Sequence, residues 1–206
     1  MPLVKICGIT REEDAHMLTQ YDVWALGFIQ VESSPRYVRP DVVNKIIHQL
    51  PSRILSVGVF RNQSYREIRQ IRDYCEFSLL QLHGVEEPSF CARLGSGVIR
   101  ALGVGDELDI DQVREYLSVV DYLLFDTAIN SISGGTGISF AWNLLKPVEQ
   151  LNKPFLVAGG LSPDNVEQCL ATIHPFAIDV NSGVESSPGI KDSDKVQALL
   201  KKIKTA

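Results

Sequence analysis

Several residues able to move protons sit at the ends of apolar runs in this 206-residue chain. Cys7 closes Val4-Lys5-Ile6-Cys7 and is followed by Gly8. Asp126 closes Tyr122-Leu-Leu-Phe125, and Asp179 lies near the end of the run 176–180. A thiolate is a base or nucleophile, and a carboxyl group is an acid or base once its surroundings match its pKa to the task. Other readings exist for each residue. A lone cysteine is commonly a small buried hydrophobe, which suits Cys75, Cys91 and Cys169, in or near helical stretches. Cys7 differs because it ends a strand and precedes a helix start. Asp126 and Asp179 either cap turns or carry protons. Arg36, in the proline-stiffened Ser33-Ser34-Pro35-Arg36-Tyr37-Val38, is a surface arginine or a fork for a carboxylate. His83 is a rim residue with a hydrogen-bond partner.

The glycines point to a second kind of chemistry. Ser133-Gly134-Gly135-Thr136-Gly137, Ala158-Gly159-Gly160-Leu161 and Asn181-Ser182-Gly183-Val184 each follow an apolar run. With no Cβ in the way, backbone N–H groups in such loops can close around an anion. Three of them at consecutive run ends predict phosphate binding by Gly135, Gly137, Gly159, Gly160, Ser182 and Gly183. A grip made of amides needs no lysine, so the net charge of −5 is compatible with it.

These residues need a frame. Apolar runs of strand length occupy residues 4–7, 23–29, 54–60, 79–82, 98–102, 122–125, 155–158 and 176–180. Segments of helical period alternate with them at 12–18, 41–50, 65–74, 88–94, 110–117, 141–145, 165–171 and 194–204. Eight strand–helix units imply parallel strands with crossover helices, and eight is the number that closes a (β/α)₈ barrel. The expectation is one small TIM barrel over residues 1–206. A doubly wound open sheet is the alternative, but no GxGxxG follows the first strand. In a barrel, functional residues gather at strand C-terminal ends. Alternation turns Lys5 and Cys7 to one face and Val4 and Ile6 to the other. With the apolar pair toward the helices, Lys5 and Cys7 point inward. The same argument sends Tyr122, Leu124 and Asp126 inward, and puts Gln81 and His83 on a shared face. First and sixth strands lie three apart in a ring of eight, so a small substrate fits between Cys7 and Asp126.

Composition narrows the partners. No basic block precedes Lys201-Lys202-Ile203-Lys204, which argues against nucleic acid. No apolar run reaches the roughly 18 residues of a membrane helix, and no leader precedes the first strand. Four scattered cysteines without CxxC or a paired histidine point to a reducing cytoplasm and away from zinc or a disulfide framework.

In this order, the residues resemble phosphoribosylanthranilate isomerases of tryptophan biosynthesis. The resemblance rests on Lys5-Ile-Cys-Gly-Ile-Thr10, Ser34-Pro-Arg-Tyr-Val38, Val57-Gly-Val-Phe60, Gln81-Leu-His-Gly84, Phe125-Asp-Thr127, Gly134-Gly-Thr-Gly137, Ala158-Gly-Gly-Leu161, and Asp179-Val-Asn-Ser-Gly-Val-Glu185 with Pro188-Gly-Ile-Lys-Asp192. It spans essentially the whole chain. It implies the Amadori rearrangement of N-(5-phosphoribosyl)anthranilate to 1-(2-carboxyphenylamino)-1-deoxyribulose 5-phosphate. Cys7 would be the general base, Asp126 the general acid, and Arg36 the partner of the anthranilate carboxylate. Asp179, His83 and Lys5 would contact substrate. No metal or organic cofactor is implied. A monomer is expected, with a homodimer the alternative. For a base role, Lys5 and the turn amides should hold the Cys7 thiol near a physiological pKa. The chain departs from the family pattern in two stretches: Ile138 and Ala141 stand where a lysine and an aspartate usually follow the GGTG, and Gly27-Phe-Ile-Gln-Val-Glu32 lacks the more usual aromatic and lysine before Ser-Pro-Arg. Rival readings are indole-glycerol-phosphate synthase, a sugar-phosphate epimerase and a phosphate-binding barrel without activity. The first would carry an extra N-terminal helix, the second histidines and aspartates at several strand ends.

Overall fold

A computed structural model describes residues 1–127 and 141–206. Eight parallel strands close a ring in chain order: β1 (Leu3–Ile6), β2 (Ala25–Ile29), β3 (Leu55–Phe60), β4 (Leu79–Leu82), β5 (Val98–Val104), β6 (Tyr122–Thr127), β7 (Phe155–Val157) and β8 (Ala177–Val180), with β8 returning beside β1. Around them run α1 (Glu12–Leu18), α2 (Pro40–Ile47), α3 (Tyr65–Cys75), α4 (Pro88–Leu94), α5 (Ile110–Tyr116), α6 (Val166–Thr172) and α7 (Ser193–Thr205). The expected barrel is present, and the open-sheet alternative is excluded.

Alternation along the strands builds two cores. Ile6, Phe28, Phe60, Leu82, Phe125 and Ile178 face outward and pack with helix residues such as Leu18, Val43 and Ile68. Ala25, Val57, Leu79, Ile99, Ala101, Leu124, Leu156, Ala158 and Ala177 fill the interior. Trp24, Tyr122 and Phe176 close the N-terminal end, with ring centroids 5.4–5.7 Å apart. The small interior residues leave room for a long side chain, and Lys5 takes it, fully buried.

Local chemistry sets the helix starts. Ser64 and Glu67 form a reciprocal capping box on α3. Asp109 and Asp192 accept two backbone N–H groups each at the starts of α5 and α7. Proline opens α2 and α4, where its missing N–H costs nothing.

Boundaries differ from expectation in instructive places. The α2 helix stops at Ile47 because the chain tightens into i→i−3 turns before Pro51, whose ring disfavours helix in the residue ahead of it. Strands β5 and β6 run two residues further than expected, to Val104 and Thr127, and Gly103 pairs with Asp126 in that extension. The described residues of the sixth crossover hold two short 3₁₀ turns, Trp142–Leu145 and Val148–Leu151. Ala141 occupies the cap position of the first and offers no side-chain bond. An aspartate there could have accepted a backbone N–H. Ile138 lies outside the described residues. One element was not expected: an antiparallel hairpin of β9 (Glu185–Ser187) and β10 (Ile190–Lys191). Its turn is Pro188-Gly189, with Gly189 at φ +82°. Proline followed by a left-handed glycine is a hairpin-compatible turn signal.

Candidate active site

The C-terminal end of the barrel collects the predicted residues. In the β1–β8 register Lys5 faces Asp179, on adjacent strands and the same inward side. Lys5 Nζ donates to Asp179 Oδ2 at 2.8 Å. Burial works to lower the Lys5 pKa, but the charge and bond of Asp179, helped by Cys7, together raise it above 10.5. Lys5 is therefore a fixed ammonium.

Cys7 follows β1 directly, its N–H donating to Val180 O. Gly27, across on β2, is what lets its sulfur fit: a Cβ there would lie 2.7 Å from Cys7 Sγ. The expected near-physiological thiol pKa is not found. Burial pushes the Cys7 thiol up from its ordinary value, outweighing the opposing charges of Lys5 and Lys191, while Asp179 adds to the rise. Lys5 shares its donors between Asp179 and Cys7, and desolvation of a thiolate still wins. Cys75, Cys91 and Cys169 are also buried free thiols. Burial pushes the first two up to about 11 and Cys169 to about 12, which fits the structural role assigned to them.

Asp126 sits three strands round the ring. Its Oδ2 is 3.4 Å from His83 Nε2, and Gln81 Nε2 lies 2.8 Å from His83 Nδ1. With the Gln81 amide donating, the His83 proton sits on Nε2, facing the carboxylate. The His83 segment is itself braced. Arg100 points outward from β5, buried, and donates to Leu82 O and Gly84 O on either side of His83. Its charge is met by Glu86 at 2.8 Å. Glu86 also accepts the N–H groups of Gly84 and Asn62. Neither Arg100 nor Glu86 was singled out in the sequence. The readable signal was an arginine at an outward, otherwise apolar position of a strand.

Arg36 is placed by a turn, with Tyr37 N–H donating to Ser34 O and Pro35 between them. The carboxylate in its fork is the protein's own. Arg36 Nε reaches both oxygens of Glu185 at 3.0 Å, and Nη2 reaches Oε2 at 2.7 Å. Lys191 Nζ donates to the same carboxylate at 2.8 Å and to Asn181 Oδ1 at 3.1 Å. Burial would raise the Glu185 carboxyl, but bonds from Arg36 and Lys191 outweigh it and hold it below the usual range. Burial lowers Lys191, with Glu185 opposing only in part. Gly8, at φ +74°, makes this crossing possible: a Cβ would stand 2.9 Å from Arg36 Cδ and 2.6 Å from Asn181 Oδ1.

Gly135 and Gly137 lie outside the described residues. Gly159 and Gly160 take φ +84° and +67°, where glycine is favoured. A Cβ on Gly159 would lie 2.9 Å from Asp126 Oδ1. One on Gly183 would run into the Leu161 carbonyl. The loops after β7 and β8 therefore touch backbone to backbone, and the first also packs on Asp126. Asn165 pins the β7 loop by accepting from Ser162 N and donating to Gly160 O. Ser182 and Gly183 belong to a single 3₁₀ turn, Ser182–Val184.

Two interior oxygens, Gln81 Oε1 and Asp179 Oδ1, are buried without a hydrogen-bond partner among the described residues. Such groups are costly unless something else satisfies them, and both are acceptors that suit sugar hydroxyls. Among the described residues no group of three His, Cys, Asp or Glu side chains is placed to hold a metal, and no helix is long and apolar enough to cross a membrane.

A sequence model of N-(5′-phosphoribosyl)anthranilate isomerase matches residues 4–202. The chain is 40% identical over 204 residues to N-(5′-phosphoribosyl)anthranilate isomerase of Geobacter metallireducens, covering 99% of this chain and 100% of that one. It superposes on phosphoribosyl anthranilate isomerase of Thermotoga maritima with a TM-score of 0.92 at 35% identity, each chain fully covered. A structure of phosphoribosyl anthranilate isomerase in complex with reduced 1-(o-carboxyphenylamino)-1-deoxyribulose 5-phosphate gives a TM-score of 0.89 at 34% identity, again over both whole chains. With a closed eight-stranded barrel and these matches along its length, the chain belongs to the N-(5′-phosphoribosyl)anthranilate isomerase family.

Proposed function

We propose that this barrel mouth carries out the family's reaction with Asp126 as general acid and Cys7 as general base. The reaction is the isomerisation of N-(5′-phosphoribosyl)anthranilate, a step of tryptophan biosynthesis. The observation that carries the residue assignment is the placement of thiol and carboxyl on inward positions three strands apart around one mouth. Asp126 protonates the furanose ring oxygen, the C1–O bond breaks, and the ring opens to a Schiff base. His83 Nε2–H, 3.4 Å away, meets the negative charge left on the carboxylate. The iminium so formed brings positive charge toward the sulfur and favours the thiolate. Cys7 then removes the C2 proton, and the enolamine tautomerises to the aminoketone. The thiolate of a thiol raised by burial is a scarcer but stronger base, and the charge of the iminium favours that form as the thiol proton passes to solvent.

Arg36 receives the anthranilate carboxylate, and the glycine loops after β6, β7 and β8 grip the phosphate. Asp179 Oδ1 accepts a sugar or intermediate hydroxyl, with Lys5 fixing the carboxylate from its other oxygen. Anchors at both substrate ends keep the reacting carbons still. A single-domain monomer is the proposed working form. Four buried free thiols suit a reducing cytoplasm.

The test follows anthranilate fluorescence as enzyme consumes freshly prepared substrate. Cys7→Ala and Asp126→Asn should each lower kcat by about 10²–10⁴-fold while the reduced product analogue still binds. A near-wild-type rate in either variant would show that the role is misassigned.

A further inference from the structure

Glu185 has no part in the proton transfers, yet it is the buried carboxylate on which the mouth's charges converge. It accepts from Arg36 Nε and Nη2, Lys191 Nζ and Gly189 N. Its hairpin is tied down on three sides. Thr10 Oγ1 donates to Gly189 O, Lys191 N to Asp14 Oδ2, and Lys195 Nζ to Glu185 O. The carboxylate is therefore a rigid point in space. Two cations share this one anion, which leaves a surplus of one positive charge in a buried cluster. A ligand anion is what restores the balance.

The fork also decides which part of Arg36 remains. Its Nε and Nη2 edge is filled, and its aliphatic stem is pressed against the Cys7–Gly8 turn. Only Nη1 makes no hydrogen bond to a described residue. We propose that Glu185 is a positioning residue that presents Arg36 end-on through Nη1 to an aryl carboxylate, with Lys191 supplying the surplus charge, so that the pair sets the preference for an ortho-carboxylated arylamine. This rests on the Arg36 assignment above.

The alternative sign is physically distinct. If Glu185 merely occupied the fork, it would compete with the ligand carboxylate, and removing its charge would tighten binding. The probes are the reduced product analogue and the same compound with phenyl in place of carboxyphenyl, titrated calorimetrically into the full chain. Wild type should prefer the carboxylated compound. In Glu185→Gln that preference should shrink by about tenfold or more, the scale of a charge-assisted hydrogen bond. Affinity for the phenyl compound should hold within about twofold, and in turnover KM should rise more than kcat falls. Glu185→Asp, which keeps the charge, should recover part of the preference. The double variant Glu185→Gln/Lys191→Met restores the net charge of the cluster without the fork. It should still lose the preference, and it carries the test if the single variant does not fold. Tighter or unchanged binding of the carboxylated compound in Glu185→Gln, or equal loss for both compounds, would overturn the inference. Absence of any preference in wild type would instead refute the Arg36 assignment on which it stands.

Discussion

Gly27 lies under the proposed base, and replacing it by alanine isolates what geometry contributes. The added Cβ would stand 2.7 Å from Cys7 Sγ, 3.1 Å from Cys7 Cα and 3.2 Å from Lys5 Nζ. Comfortable contact between heavy atoms begins at about 3.5 Å, so the sulfur must retreat by close to 1 Å. Neighbouring atoms give little. Gly27 is paired with Val57 in β3, and its carbonyl accepts Ile9 N–H. Lys5 Nζ cannot swing away without leaving Asp179. A misplacement of about 1 Å costs roughly a hundredfold in rate when a reacting group is held for proximity. kcat/KM should therefore fall by about 30–100-fold, equivalent to about 2–3 kcal/mol of transition-state stabilisation. Overpacking should cost about 1–3 kcal/mol of stability as well. The fluorescence assay gives kcat/KM, a thermal melt confirms folding at the assay temperature, and titration with the reduced product analogue should show little change. A folded Gly27→Ala enzyme within about threefold of wild type would refute the placement of Cys7 as a geometrically constrained base.

Further outcomes follow from the electrostatics of the mouth. The Cys7 thiol is raised by burial, so the free enzyme binds its proton through neutrality. kcat/KM should climb with pH beyond 9.0, the ordinary thiol value, instead of levelling near neutrality; a plateau reached below pH 8 would show the base to be another group. Buried thiols also set the stability on that side. Unfolded cysteines lose their protons near 9.0 while the folded ones keep them, so the folded state holds more protons and stability falls as pH rises. Lys5, raised above 10.5, keeps its contribution below that pH and loses it as pH passes through the folded value. Lys5→Met leaves Asp179 buried without its cation and should cost about 3–5 kcal/mol in chemical denaturation. The double variant Lys5→Met/Asp179→Leu should recover much of that, and failure to recover would mean that Lys5 stabilises through packing alone.

What the sequence made legible was whatever its own periodicity could carry. Val4-Lys5-Ile6-Cys7 alternates over four residues, so the inward pair could be read without any partner, and the same held for Leu124 and Asp126 on β6. The missed contacts join residues far apart in the chain. Glu185 stands 149 positions from Arg36, and no local pattern links them. Yet one clue was present. Arg100 is a charged residue at a position an apolar pattern would fill, and a buried charge requires a partner. The thiol pKa was missed for a different reason. Lys5 and burial act on Cys7 with opposite signs, and only the structure tells which is larger. One of these contacts follows from the sequence alone. Closing eight strands into a ring makes the last strand the neighbour of the first. Lys5 and Asp179, each an inward polar residue on those two strands, then have to meet. A lysine shared between an aspartate and a thiol gives the thiolate only part of its charge. Burial outweighs that part, so the Cys7 base is to be released by charge arriving with the substrate, which is the dependence the pH profile measures.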